Sequence, residues 1–239
     1  ERALVVTDAG VREAGHARAC QRALSEAGLE VAVYDAVPEN PSRDDARRLG
    51  QECSSFRPEV VVAIGDGSAI DCAKGAILEL TQPTGLDERQ GHITLERPTI
   101  PLFAVPTTSG TGSECQSATL LTDESTGIKR ALLAPGLLPR LAVLDPAFTA
   151  SLPSDVALAG GLDAVSHGIE AAVTRVRTAR SRRYALAALS LLLPHINDAL
   201  DDADAHESRA SMMLGAAFAG MAIEQSMLGA AHACANPLT

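Results

Sequence analysis

Tryptophan is absent from the 239 residues, and aromatic side chains together make up only 3% of them. The core must therefore come from the aliphatic members of the 46% hydrophobic fraction, chiefly Ala, Leu, Val and Ile. Long basic runs are missing too, and the formal net charge is −10. That balance disfavours nucleic acid and anionic membrane surfaces as partners. No uninterrupted apolar stretch approaches the roughly eighteen residues a membrane-spanning helix needs. The five cysteines, Cys20, Cys53, Cys72, Cys115 and Cys234, include no C-x-x-C pair. Scattered and odd in number, they read as free thiols in a reducing cytoplasm. The sequence enters a strand at once, with no basic and apolar leader, which agrees with that location.

What is present is a chain whose character changes near residue 150. Before it, short aliphatic runs alternate with helical patterns: strands at 3–7, 30–37, 58–64 and 101–105, and helices over 11–27 and from Arg43, capped by Ser42. The third strand is apolar at nearly every position, as a parallel strand covered on both faces must be. Residues 81–99 read as a polar surface loop with a short hairpin. Three more strands are expected at 117–122, 127–134 and 140–144. After residue 150 the strand runs vanish. A short helix is expected from Pro153-Ser154-Asp155, another from Gly160-Gly161, a third over 179–193 ending near Pro194, and a long helical pattern over 205–235. The fold class is thus an α/β N-terminal domain with a Rossmann-like parallel sheet, residues 1–150, followed by an all-α domain, residues 151–239.

Two turns follow strands. Gly65-Asp66-Gly67-Ser68 enters a helix, where glycines and free N–H groups suit a pyrophosphate, although a ligand-free turn reads equally simply and the pattern is not G-x-G-x-x-G. Thr107-Thr108-Ser109-Gly110-Thr111-Gly112-Ser113 offers hydroxyls and glycines to ribose and phosphate oxygens, or is an ordinary polar loop. In the helical half, Asp163 and His167 stand four apart on one helical face. With His232 from a later helix they form a mixed carboxylate and imidazole set that suits Fe, Zn, Mn or Co. The plainer alternative is an acid near a helix N-terminus with an unrelated histidine. His16, His92, His195 and His206 read as surface residues, the Met and Leu stripe over 212–228 as core, and Cys72, Cys115 and Cys234 as packing residues rather than nucleophiles.

The order and spacing of these motifs resemble the iron-containing, or group III, alcohol dehydrogenases along nearly the whole chain. The motifs are Val6-Thr7-Asp8, Asn40-Pro41, Gly65-Asp66-Gly67-Ser68 with Asp71 and Ala73-Lys74, and the Thr107 to Glu114 stretch. Leu144-Asp145-Pro146, Gly161-Leu162-Asp163-Ala164 with His167, and Gly229-Ala230-Ala231-His232 with Asn236-Pro237-Leu238 complete them. The resemblance implies a metal-dependent, NAD(H)-linked alcohol dehydrogenase or aldehyde reductase acting on a small alcohol or aldehyde, and a homodimer. Carried over by position, Gly65, Gly67 and Ser68 would meet the pyrophosphate, Thr107, Thr108 and Thr111 the adenine and phosphate side, and Lys129 the nicotinamide ribose. Asn40 joins the cofactor set. Asp8 would meet the adenine ribose, favouring NAD(H) over NADP(H). Asp163, His167 and His232 match three of four metal ligands for Fe²⁺, with Zn²⁺ as the alternative.

Three departures stand out. Asp66 replaces the middle of the family's three glycines. Asn236 replaces a second histidine one turn after His232. The family's fourth ligand, a histidine, would fall beyond Thr239. Competing readings are a metal-free reductase of the maleylacetate type, a dehydroquinate-synthase-like lyase, and a non-catalytic dinucleotide-binding protein. The Asp163, His167 and His232 set argues against the first.

Overall fold

A computed structural model describes residues 1–86, 90–201 and 205–235. Asn236, Pro237 and Leu238, the acidic residues Asp202 and Asp204, and positions 87–89 of the polar loop lie outside the described residues. Among the described residues, eight strands and eight α-helices occur in chain order. They are β1 (Arg2–Val6), α1 (Ala9–Glu13), α2 (His16–Glu26), β2 (Glu30–Tyr34), α3 (Arg43–Cys53), β3 (Val60–Gly65) and α4 (Gly67–Thr81). Next come β4 (Gly91–His92), β5 (Leu102–Pro106), β6 (Ala118–Asp123), β7 (Ile128–Leu133) and β8 (Leu141–Ala142). The helices α5 (Ser154–Val173), α6 (Ala179–Asp201), α7 (His206–Glu224) and α8 (Ala230–Ala235) follow. The chain divides into two compact units, one of residues 1–105 and 117–143, the other of residues 106–116 and 144–239.

The first unit holds a five-stranded sheet in the order β2-β1-β3-β5-β8. β1 pairs in parallel with β2 and β3, and β5 with β8. Leu4, Val5 and Val6 on β1 and Val61, Val62, Ala63 and Ile64 on β3 are all buried, so these central strands are covered on both faces as their unbroken apolar runs require. A smaller sheet, β4-β7-β6, is built on the antiparallel β6–β7 hairpin. Among the described residues of 81–99, the only strand is the two-residue β4, which runs parallel to β7, in place of the expected hairpin. α4 is fastened to β6 through a fully buried lysine: Lys74 Nζ donates to the Ala118 carbonyl at 2.6 Å and lies 3.5 Å from Asp71 Oδ1. Asp71 Oδ2 in turn accepts from Leu120 N at 2.9 Å. Motif residues Asp71 and Lys74 thus hold the helix that carries the glycine turn.

The second unit is helical, and its core is built from small residues, as the lack of aromatics demands. Ala164, Ala188, Leu192, Met212, Ala216 and Ala219 form one buried cluster, which places the start of the Met and Leu stripe in the core, whereas Leu214 and Met227 of the same stripe are exposed. Gly161, Ala164, Gly168 and Ala171 line one face of α5 and let its neighbours come close. A Cβ on Gly161 would stand 3.0 Å from Met212 Cε, and one on Gly168 3.0 Å from Leu189 Cγ.

Several element boundaries differ from expectation. The first helix is two, because Gly15 turns with φ +83° between α1 and α2. β2 stops at Tyr34, and β8 is only two residues long. Gly160 and Gly161 do not begin a helix. They lie inside α5, where their missing side chains admit other backbone and side chains rather than breaking the helix. α6 runs straight through Pro194. Pro194 and Ser190 are both exposed, so the carbonyl that loses its partner faces water. The long pattern after residue 205 is two helices. Ser226 Oγ donates to the Ala222 carbonyl at 2.9 Å and Met227 turns to φ +61°, ending α7 ahead of α8. No described helix is long and apolar enough to cross a membrane.

Candidate metal centre and cofactor turns

α5 presents Asp163, His167 and Glu170 on one face, at the i, i+4, i+7 spacing that stacks side chains along a helix. Asp163 lies well inside the helix, so the alternative of an acid at the helix N-terminus no longer applies. His232 on α8 completes the group. His232 Nε2 is 3.1 Å and His167 Nε2 3.4 Å from the same oxygen, Asp163 Oδ1. The two rings stack with centroids 4.6 Å apart and planes 22° from parallel. One donor atom from each of Asp163, His167 and His232 falls within 4.8 Å of the others, the only such trio of His, Cys, Asp or Glu among the described residues.

The electrostatics suit a cation. Burial pushes the His167 ring below its ordinary pKa, keeping it neutral and ready to offer a lone pair, while Asp163 pulls the other way. His167 Nδ1 is buried and makes no hydrogen bond of good geometry, although the nearby Gly110 backbone favours a proton there. His232 is raised by its hydrogen bond to Asp163, with Glu170 adding to the effect. Two imidazole nitrogens sharing one carboxylate oxygen is the arrangement a divalent metal would occupy in place of protons. On donor chemistry and spacing the residues present fit such an ion.

Glu170 was missed by sequence reasoning. Its oxygens accept from Gly229 N at 3.0 Å and Ala231 N at 2.6 Å, and Oε2 lies 2.6 Å from His232 Nδ1. Its position three residues after His167 on the same helical face was a legible signal.

The segment 106–116 packs within the helical unit through its glycines. Gly112 turns with φ +67°, and a Cβ there would stand 2.6 Å from Gly220 Cα. A Cβ on Gly110 would stand 2.8 Å from Gly160 Cα, so the loop runs backbone to backbone against α5. Thr107 is buried, and Thr108 and Thr111 are half-buried. Thr111 Oγ1 accepts weakly from Ser113 N at 3.4 Å.

The remaining residues expected at the cofactor belong to the first unit. Gly65, Gly67 and Ser68 form the turn from β3 into α4. Asp8 adjoins it: Oδ1 caps α1 by accepting from Val11 N at 2.9 Å, and a Cβ on Gly65 would lie 3.1 Å from Oδ2. Asp66 turns inward to cap α4, Oδ1 accepting from Ala69 N at 3.2 Å. Burial pushes its carboxyl up and Asp8 adds to this, against the pull of the Ala69 and Ser68 N–H groups. Helix N–H groups that would suit a pyrophosphate thus already serve a side-chain anion. Asn40 is exposed with φ +50°. The next residue, Pro41, accepts from Thr122 N at 3.0 Å, and Thr122 pairs with Lys129 across the β6–β7 ladder. Asn40 and Lys129 are thereby linked through two residues. Cys72 and Cys115 are buried, and burial pushes the Cys72 thiol to about 12. Cys234, expected to pack, is exposed, because α8 buries none of its residues.

Residues 1–146 match the family described as iron-containing alcohol dehydrogenase, and residues 157–239 match the C-terminal family of Fe-containing alcohol dehydrogenases. Alcohol dehydrogenase 4 of Saccharomyces cerevisiae is 34% identical over 238 residues, a match covering 100% of this chain and 62% of that protein. The crystal structure of a 1,3-propanediol oxidoreductase superposes with a TM-score of 0.95 at 32% identity, covering 100% of this chain and 62% of the other. Sulfoacetaldehyde reductase from Bifidobacterium kashiwanohense, solved in complex with NAD⁺, superposes with a TM-score of 0.92 at 26% identity, covering 100% of this chain and 63% of the other. The chain thus spans a little over three fifths of the length of these relatives, and it belongs to the iron-containing alcohol dehydrogenase family.

Proposed function

We propose that this protein is a metal-dependent, NAD(H)-linked alcohol dehydrogenase or aldehyde reductase. The observation that carries the reading is the convergence of Asp163, His167 and His232 donor atoms within 4.8 Å in a chain of this family. These residues would hold Fe²⁺, with Zn²⁺ as the alternative. When bound, the metal supplies a Lewis acid for the alcohol or carbonyl oxygen, and the nicotinamide supplies or takes the hydride. The chain's own residues bind and orient. Gly65, Gly67 and Ser68 would line the pyrophosphate, Thr107, Thr108 and Thr111 the adenine and phosphate side, and Lys129 and Asn40 the sugar side of the cofactor. Asp8, a carboxylate beside the turn, would repel a 2′-phosphate and favour NAD(H). The complex of the related sulfoacetaldehyde reductase with NAD⁺ supports the cofactor class. The substrate is a small alcohol or aldehyde. A homodimer in the cytoplasm completes the proposal, and the five free thiols suit that compartment.

The test is metal analysis with NADH titration and an aldehyde screen on protein purified without oxygen. About one equivalent of Fe or Zn, with NADH-dependent reduction of an aldehyde, is the expected result. NADH binding with neither metal nor turnover would overturn the dehydrogenase in favour of a metal-free scaffold. Sedimentation at equilibrium tests the dimer.

A further inference from the structure

Glu170 is buried, and the turn leading into α8 is shaped around it. Both carboxylate oxygens are engaged, Oε1 by Ala231 N–H and Oε2 by Gly229 N–H and His232 Nδ1. A Cβ at position 229 would meet Glu170 Oε1 at 2.9 Å, so a glycine there lets the carboxylate reach His232. An ionised carboxylate donates nothing, and both of its oxygens here already accept backbone N–H groups. It faces Nδ1 as an acceptor only. A neutral imidazole carries one proton, and an ionised carboxylate at Nδ1 draws it there, leaving the lone pair on Nε2. Nε2 is the nitrogen that points at Asp163.

We infer that Glu170 is a positioning residue: it fixes both the ring orientation and the tautomer of His232, so that Nε2 is presented to the cation site formed with Asp163 and His167. The inference rests on the metal reading above and adds a residue to it that touches neither metal nor substrate. The competing role is a purely structural tie between α5 and the start of α8.

Glu170→Gln separates the two. The amide is nearly the same size and can still accept a backbone N–H, but its NH₂ group can donate to Nδ1. That would place the imidazole proton on Nε2, the wrong nitrogen for a ligand. The whole protein, stripped of metal with a chelator, is titrated with Co²⁺, whose visible absorption bands report its ligand set. Melting of the metal-free protein is followed by circular dichroism alongside. Glu170→Gln is expected to weaken Co²⁺ binding by about 10–100-fold and to shift the bands, with the metal-free protein still folded. Unchanged affinity and bands in the variant, whatever its melting temperature, would leave Glu170 as a structural tie and overturn the inference alone. Failure of the wild-type protein to take up Co²⁺ would overturn both the inference and the dehydrogenase reading.

Discussion

The cluster on α5 and the turn at Gly65–Ser68 treat buried and half-buried carboxylates in opposite ways. At the cluster, Asp163 and Glu170 each face imidazole nitrogens at 2.6–3.4 Å, and Glu170 is held below its ordinary range despite its burial. At the turn, Asp66 accepts from a helix N–H but feels a second carboxylate, Asp8, and burial with that repulsion pushes its carboxyl above its ordinary value. The first arrangement holds negative charge among proton donors that a cation can replace. The second places negative charge where an incoming phosphate would want none. The proposed metal site is therefore well formed, while the proposed phosphate turn carries an internal competitor.

The comparison breaks most severely if the cluster is not a metal centre. Asp163→Ala removes the carboxylate both histidines share, and bound metal should fall from about one equivalent to below about a tenth, measured by elemental analysis. Full metal content in the variant would end the reading. His167→Ala should do the same. A smaller effect tests whether the cluster is preformed by packing. Gly110→Ala drives a Cβ to 2.8 Å from Gly160 Cα, backbone against backbone beside His167, where no rotamer change can relieve it. A loss of about 2–4 kcal/mol in unfolding free energy is expected from denaturant titration. Gly127→Ala, with nothing within 4 Å, carries only the strain of φ +66° and should cost about 1 kcal/mol. Equal losses would mean that the close approach of loop and helix contributes nothing.

The alternation of strands and helices was legible because buried parallel strands leave unbroken apolar runs, and the Asp163–His167 pair was legible because a helix repeats every 3.6 residues. His232 was offered as a further donor from a later helix and the resemblance reinforced it, but no spacing fixed that contact, since only tertiary folding brings α8 to α5. Gly160 and Gly161 misled for a physical reason. Glycine costs a helix interior about 1 kcal/mol, so a pair of them reads as a boundary until a neighbour needs the space they leave. Gly110, Ile196 and Met212 are those neighbours, and local sequence does not reveal them. Pro194 is the same lesson in reverse: its lost hydrogen bond matters little where water replaces it. The direction in which Asp66 points was equally hidden, because an N-cap and a phosphate-facing carboxylate share the same sequence position.

Asp66→Asn sharpens the turn's half of the comparison with the smallest changes. Asparagine caps a helix about as well as aspartate, so α4 should keep its start. Removing one negative charge beside the proposed pyrophosphate site should tighten NADH binding by about tenfold at neutral pH, or about 1.4 kcal/mol, by fluorescence titration. Unchanged NADH affinity would mean that the phosphates do not approach this turn. Stability supplies an independent check that needs no cofactor. A carboxyl whose folded pKa is raised above the ordinary 3.8 contributes stability that is fully present below that value and lost as pH rises through the folded pKa. The variant has nothing to titrate there. Its melting temperature relative to wild type should therefore climb as pH rises from below 3.8 through the raised value, and then level off. A difference that stays flat across that range would mean that the folded chain does not penalise the Asp66 charge, and the contrast with Glu170 would fail at its weaker end.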